Sequence, residues 1–262
     1  GLQVYIFRRV SDDLRKNHLE GSSGLRAMLS PLMVSGHCKF NDSKGIFEFW
    51  NGAKIYLCHC QHEKDMYKYQ GAEIHVLLMD ELTLFTEAIY RFLRGRVRLG
   101  GLNVPSEYKH KLPLVLCGSN PGNIGHVWVK KMFVDYAPPM EITRTPAAEG
   151  GMLRQYIPAK LADNPTLAEN DPDYESRLEG LGNPALVAAM KNGDWDIIDG
   201  AYFSEFERER HMLKPFTIPA HWPRIMAFDW GYAKPFCVLW GAVSDGTFRR
   251  PECHRFALLV EQ

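Results

Sequence analysis

The chain has 262 residues, 45% of them apolar and 12% aromatic, with 31 basic and 31 acidic side chains and so no formal net charge. That content describes a cored globular protein rather than a disordered one, and the charge balance gives no global sign of a nucleic-acid partner, so any basic surface is local. No stretch approaches the roughly 18 to 20 uninterrupted apolar residues of a membrane span, and no charged, apolar, small-residue leader opens the sequence, which reads as intracellular.

Residues Gly1 to Arg9 alternate apolar and polar side chains and predict a strand over 2–8. Leu14 to Met28 reads as a mixed, partly helical segment. Strands are predicted at 45–50 and 53–60, joined by a hairpin turn at Asn51-Gly52, and again at 74–79 and 113–117. Thr86 can cap a helix whose Ile89, Phe92 and Leu93 form one apolar stripe. Strands alternating with helices argue for an α/β sheet with ligands at the carboxyl ends of its strands.

From about residue 159 the texture changes to short capped helices. Asp171-Pro172 and Asn183-Pro184 are starts and Lys191-Asn192-Gly193 is a stop. After Pro215, Pro219 and Pro223 the runs "RIMAFDWG", "PFCVLWGAV" and "RFALLVEQ", with a turn at Asp245-Gly246, predict the start of a second, mostly antiparallel sheet. Both ends of the chain read as cut from something longer.

Six cysteines without a framework of regular spacings fit reduced thiols. Cys58, His59, Cys60 and His62 invite a zinc reading, but strand alternation puts Cys58 and Cys60 on one face and His59 on the other. The thiols are expected to be structural. The densest basic stretch is "YRFLRGRVR", with Arg91, Arg94, Arg96 and Arg98; from its charge alone a solvated helix end is the simpler reading.

The run "EIHVLLMDELTLF" raises the chemical question. Val76, Leu77, Leu78 and Met79 are apolar enough for a sheet interior, yet they end in Asp80 and Glu81. Ionised acids are costly to bury unless a positive group meets them, so these two are expected to face a cation. An apolar strand ending in Asp-Glu is how P-loop nucleoside triphosphatases present a Mg2+ partner and a general base. The strand in "LPLVLCGSNPGN" ends in Ser119 and Asn120, small polar side chains able to touch a γ-phosphate or an attacking water; ordinary turn chemistry accounts for the same residues. The phosphate-cradling pattern G-x-x-x-x-G-K-[ST] does not occur in these residues. A second candidate is Asp229, on a strand just before Gly231, as the first ligand of a two-metal nuclease site, with Glu261 the acid near the end of the third strand.

In order along the chain, "YIFRRVSDDLR" (5–15), "YQGAEIHVLLMDELTLF" (69–85), "LRGRVR" (93–98), "SNPGNIGHVWVKKMF" (119–133), "YIPAKLADNPTL" (156–167), "NGDWDIIDGAYFSEF" (192–206) and "FDWGYAKPFCVLWG" (228–241) resemble the large terminase subunit of tailed double-stranded DNA bacteriophages and prophages. The resemblance implies an ASCE-type P-loop NTPase sheet without its N-terminal P-loop segment over 1–158, a helical linker or lid over 159–214, and the truncated start of an RNase H-like nuclease over 215–262. It implies ATP and Mg2+ as cofactors, with Mg2+ or Mn2+ at the nuclease. Asp80 would hold Mg-ATP, Glu81 would be the base, Ser119 and Asn120 would couple hydrolysis to movement, and Asp229 would ligate the nuclease metal. Glu261 is a candidate second ligand, and Arg96 and Arg98 are candidates for an arginine finger or a DNA contact by position.

The implied partners are duplex DNA, the small terminase subunit, the portal of the prohead and further copies in a ring, with no membrane. The implied place is the host bacterial cytoplasm and not the mature virion. The piece alone is expected to be inactive in both reactions. Two other readings stand beside this: a non-catalytic assembly module or prophage remnant that binds DNA or portal, and a helicase-like ATPase, although Asp80-Glu81-Leu82-Thr83 lacks the usual D-E-A-D or D-E-x-H continuation.

Overall fold

The structure is a computed structural model; it describes residues 1–181, 184–196, 216–229, 237–244 and 256–259. The chain divides into two compact units, Gly1–Ala201 and Tyr202–Gln262.

The first unit is built on a six-stranded sheet. Its strands are β1 (Gln3–Arg8), β2 (Cys38–Asn41), β3 (Ile46–Phe49), β4 (Lys54–His59), β5 (Val76–Asp80) and β6 (Leu114–Gly118), in the spatial order β2-β3-β4-β1-β5-β6. β4, β1, β5 and β6 run parallel, while β2 and β3 add an antiparallel margin. Asn51-Gly52 makes the turn between β3 and β4, with Gly52 at φ 80 and its N–H donated to Phe49 O at 2.9 Å. A left-handed φ at that position suits glycine, which has no Cβ to clash.

Period-2 alternation decides which side chains of β5 go inward. Leu77 and Met79 are 0% and 1% exposed, and they pack with Phe7, Leu82, Phe85, Ile89 and Leu93 into the main core. Burying side chains of this size stabilises by about 1.5–3 kcal/mol each, which is what holds the polar end of β5 in place. Ile89 and Leu93 belong to a helix over Glu87–Arg94, whose start is closed by Thr86 Oγ1 accepting the Ile89 N–H. Cys58 and Cys60 are both buried in the same core, and burial pushes their thiols up to about 12 and about 11. Those are the properties of thiols that pack.

The segment after β1 is less regular than one helix. It is a short helix at Ser11–Leu14, a wider π-type turn at Arg15–Leu19, then two short helices at Leu25–Met28 and Ser30–Val34 that pack with Leu19, Cys38 and Phe47 into a second core. β2 is absent from the sequence reading. Its four residues, Cys-Lys-Phe-Asn, are too short and too polar to announce a strand, and only pairing with β3 makes them one.

Past β6 come a helix at His126–Val129, a π-type turn at Lys130–Val134 and a two-stranded ribbon of β7 (Thr143–Arg144) and β8 (Leu153–Arg154). Helices follow at Pro165–Asn170, Tyr174–Glu179 and Pro184–Asn192. The last begins at Pro184 and ends before Gly193 at φ 61, as read from the sequence. The first uses a start not singled out there: Asn164 Oδ1 accepts the Leu167 N–H at 3.1 Å ahead of Pro165. Trp195 is buried in the main core and stacks on His126, so this stretch packs onto the sheet unit.

In the second unit, β9 (Arg224–Asp229), β10 (Cys237–Val243) and β11 (Phe256–Leu259) form an antiparallel sheet in the order β11-β10-β9. The predicted turn at Asp245-Gly246 and Glu261 lie outside the described residues.

Candidate nucleotide site at the end of β5

Parallel register brings the chemistry together. Phe7 of β1 pairs with Met79, and Gly118 of β6 pairs with Asp80, so Arg8 lies on one side of the β5 terminus and Ser119 follows on the other. Glu81 leaves the strand at φ 54, ψ 59, a left-handed conformation that costs a non-glycine residue roughly 1–2 kcal/mol. Strain of this kind gathers where a side chain must be aimed.

The cation expected opposite the two acids is Arg8. Its Nε lies 2.9 Å from Asp80 Oδ2 and an Nη lies 3.7 Å from Glu81 Oε1, with the Arg8 side chain only 14% exposed. The Nε–H points at no acceptor despite the short distance, so the contact with Asp80 is one of charge rather than a directed hydrogen bond. A second partner, which sequence spacing could not reveal, is His18: its Nε2 lies 2.8 Å from the same Asp80 Oδ2. The neighbouring Arg9 fixes the following turn by donating to Leu84 O at 2.6 Å.

Burial, followed by repulsion from Asp80, pushes the Glu81 carboxyl above its ordinary range. Arg8 and a hydrogen bond from the Asn120 backbone pull the other way. A carboxyl raised in this way takes up a proton more readily than an exposed one.

Ser119 and Asn120 join this cluster through Thr83, a fully buried residue absent from the sequence-derived site. Thr83 donates its N–H to Ser119 Oγ at 3.0 Å, and Ser119 Oγ lies 3.0 Å from Thr83 Oγ1, which itself donates to Asn120 O at 3.1 Å. Thr83 O accepts the Gly125 N–H at 2.7 Å. The sequence signal for it is a lone hydroxyl between leucines directly after two acids.

Among the described residues no three His, Cys, Asp or Glu side chains gather as a metal set. A Mg2+ that arrives with phosphates keeps most of its waters and takes one or two carboxylates, so Asp80 fits that smaller demand. Asp80 Oδ2 is engaged by Arg8 and His18, whereas Oδ1 faces Gly118, where even an added Cβ would lie 3.6 Å away.

The other candidates fall elsewhere. Arg96 stacks on Phe92 at 4.8 Å, and Arg98 is exposed, its N–H donated to Ile74 O at 2.9 Å; both are beside the start of β5, not its acidic end. Arg91 is engaged by Glu87 at 2.6 Å and Glu149 at 3.0 Å. Asp229 closes β9, with Cys237 as its partner across the sheet. Among the described residues no helix is long and apolar enough to cross a membrane.

The described residues form a mixed α/β fold with four parallel strands and acids at the carboxyl end of an inner one, which is consistent with a terminase-like fold. Two crystal structures of the large terminase from a thermophilic bacteriophage share it, one of them a complex with ADP. Each gives a TM-score of 0.51 at 16% identity, covering 94% of this chain and 53% of the terminase, so the chain spans about half the length of those proteins. No family model and no curated protein matches the sequence.

Proposed function

We propose that the chain is part of a phage DNA-packaging motor, in which an ATPase drives duplex DNA into a prohead and a metal-dependent nuclease cuts it. The observation that carries this reading is the placement of Asp80 and Glu81 at the carboxyl end of β5, joined to Ser119 and Asn120 within a terminase-like fold. Bound Mg2+ supplies charge for the phosphates. Asp80 would hold it, Glu81 would orient and deprotonate the attacking water, and the Asn120 N–H keeps Glu81 in place. Thr83 ties that base to the loop after β6, so a change at the phosphates shifts both together. The ADP complex of the thermophilic phage terminase supports a nucleotide here.

In this reading residues 1–158 carry the ATPase, 159–214 the linker and 215–262 the first part of the nuclease, with Asp229 as its first metal ligand. Duplex DNA, small subunit, portal and a ring of copies are the partners in the same reading. The motor works in the host cytoplasm. The non-catalytic alternative draws on the two side chains, Arg8 and His18, already seated on Asp80.

The test is hydrolysis by the full-length protein. Glu81→Gln abolishes turnover and leaves nucleotide binding intact, while Asp229→Asn stops Mg2+- or Mn2+-dependent DNA cutting and spares the ATPase. Steady-state hydrolysis retained in Glu81→Gln removes the base assignment, and cutting retained in Asp229→Asn removes the nuclease one.

A further inference from the structure

A cavity of about 350 Å³ is lined by β6 residues, by Ser119 and Asn120 after it, by Arg94 and Arg154, and by Tyr90, Tyr156 and Trp195. The two guanidinium groups are unusual in how they are satisfied. Arg94 donates to the backbone carbonyl of Glu149 at 3.0 Å, and Arg154 donates to that of Met132 at 2.6 Å. The Glu149 carboxylate is turned to Arg91 instead. Among the described residues neither Arg94 nor Arg154 has a carboxylate partner, and Arg154 Nη2 is buried with no acceptor at all.

The local chain accommodates these cations rather than neutralising them. Gly150, at φ 99, leaves room for Arg94, since a Cβ there would come within 3.1 Å of its Nη2. Arg154 lies over the rings of Phe133 and Tyr136 at 5.1 and 4.8 Å. Ring faces attract a guanidinium by about 0.5–2 kcal/mol each, less than the several kcal/mol it costs to take one out of water. Burial accordingly makes the Arg154 proton easier to lose, the sign of a charge short of a counter-ion.

We propose that this cavity is a phosphate site, in which one phosphate oxyanion bridges Arg94 and Arg154. A doubly charged tetrahedral anion matches two guanidinium forks in charge and in hydrogen-bond geometry. The volume exceeds what a free phosphate fills and falls within the range of small-molecule sites, so the phosphate has room to carry an organic group against Tyr156 and Trp195. The site requires no hydrolysis, and it stands or falls apart from the packaging-motor reading.

The test is calorimetric titration of the 262-residue chain with inorganic phosphate, pyrophosphate and ADP, repeated on Arg94→Gln, Arg154→Gln and, as a control on the exposed far strand β2, Lys39→Gln. The expected result is saturable binding of phosphate or pyrophosphate that weakens about tenfold or more in each of the first two variants and is unchanged in the third. ADP that competes with phosphate identifies a nucleotide as the carrier, and ADP that does not identifies the free anion; both keep the site. No saturable binding at concentrations on the order of 10 mM overturns it, as does binding that survives both substitutions. Thermal melts of each variant identify unfolding, and Arg154→Lys, which retains the charge on a folded chain, restores part of the affinity if the site is real and none if Arg154 only packs.

Discussion

The Ser119 hydroxyl lies 3.0 Å from that of Thr83, and this contact joins the loop after β6 to the turn after β5, 36 residues away in sequence. Thr83 is fully buried and its backbone and side chain are both bonded, so it is the pivot between the Glu81 turn and the Ser119-Asn120 loop. Replacing it by valine keeps the shape but removes the 3.1 Å donor to Asn120 O, which then has the longer 3.3 Å contact from Ser119 Oγ, and removes the hydroxyl that accepts from Ser119 and Asn123. Thr83→Val is expected to destabilise the first unit by about 1–3 kcal/mol in urea denaturation, and Thr83→Ser by less. Equal stability of the valine variant and the wild type would make the network incidental.

Arg8 touches both acids, and its removal leaves Asp80 with His18 alone and takes from Glu81 the cation that offsets it. Arg8→Met is expected to cost about 1–2 kcal/mol, less than the roughly 3–5 of a fully buried pair because Asp80 is 34% exposed and screened by water. Adding Asp80→Asn on top should return part of that loss, because the remaining Glu81 no longer has a charged neighbour. A double-mutant cycle with denaturant measures it; strict additivity would mean that Arg8 contributes packing and not charge.

The parts of this site that are legible in the sequence are those with a short-range signature. Alternation marks β1, unbroken apolar runs mark β4, β5 and β6, and the break from Met79 to Asp80-Glu81 marks the polar end of a core strand. What is not legible depends on register between distant strands. His18 reaches Asp80 across 62 residues, and Arg94 and Arg154 come to one cavity from a helix and a ribbon with no shared pattern. The basic run at 91–98 misleads in another way: its spacing says nothing of Glu149, which takes up Arg91 and lends its carbonyl to Arg94.

Asp65 supplies a pH signature. Lys68 at 2.8 Å, then the His62 N–H at 2.9 Å, hold its carboxyl down at about 2, below the ordinary value near 3.8. A group whose folded value is depressed stabilises the fold above its unfolded value and loses that contribution as pH falls toward the folded one. Asp65→Asn should therefore unfold more easily than wild type at about pH 5–7, and the difference should shrink from about pH 4 and vanish near about pH 2. Thermal melts across that range check the sign; a difference that grows on acidification would contradict the assignment.

The sheet ends at β6, and that edge is unusually apolar. Leu114 and Leu116 are 40% and 57% exposed on a parallel strand that pairs with β5 on one side and with no other strand among the described residues. Parallel strands normally have both faces covered, and an open edge with apolar side chains is a template for pairing with another chain. The 262-residue chain is expected to self-associate with rising concentration. Leu116→Lys, which places a charge on that edge without touching the core-facing Val115 and Cys117, should shift the association to concentrations several-fold higher. Sedimentation velocity over a concentration series reads it directly. An unchanged profile would mean that the edge is already covered, and the exposed leucines would then need another account.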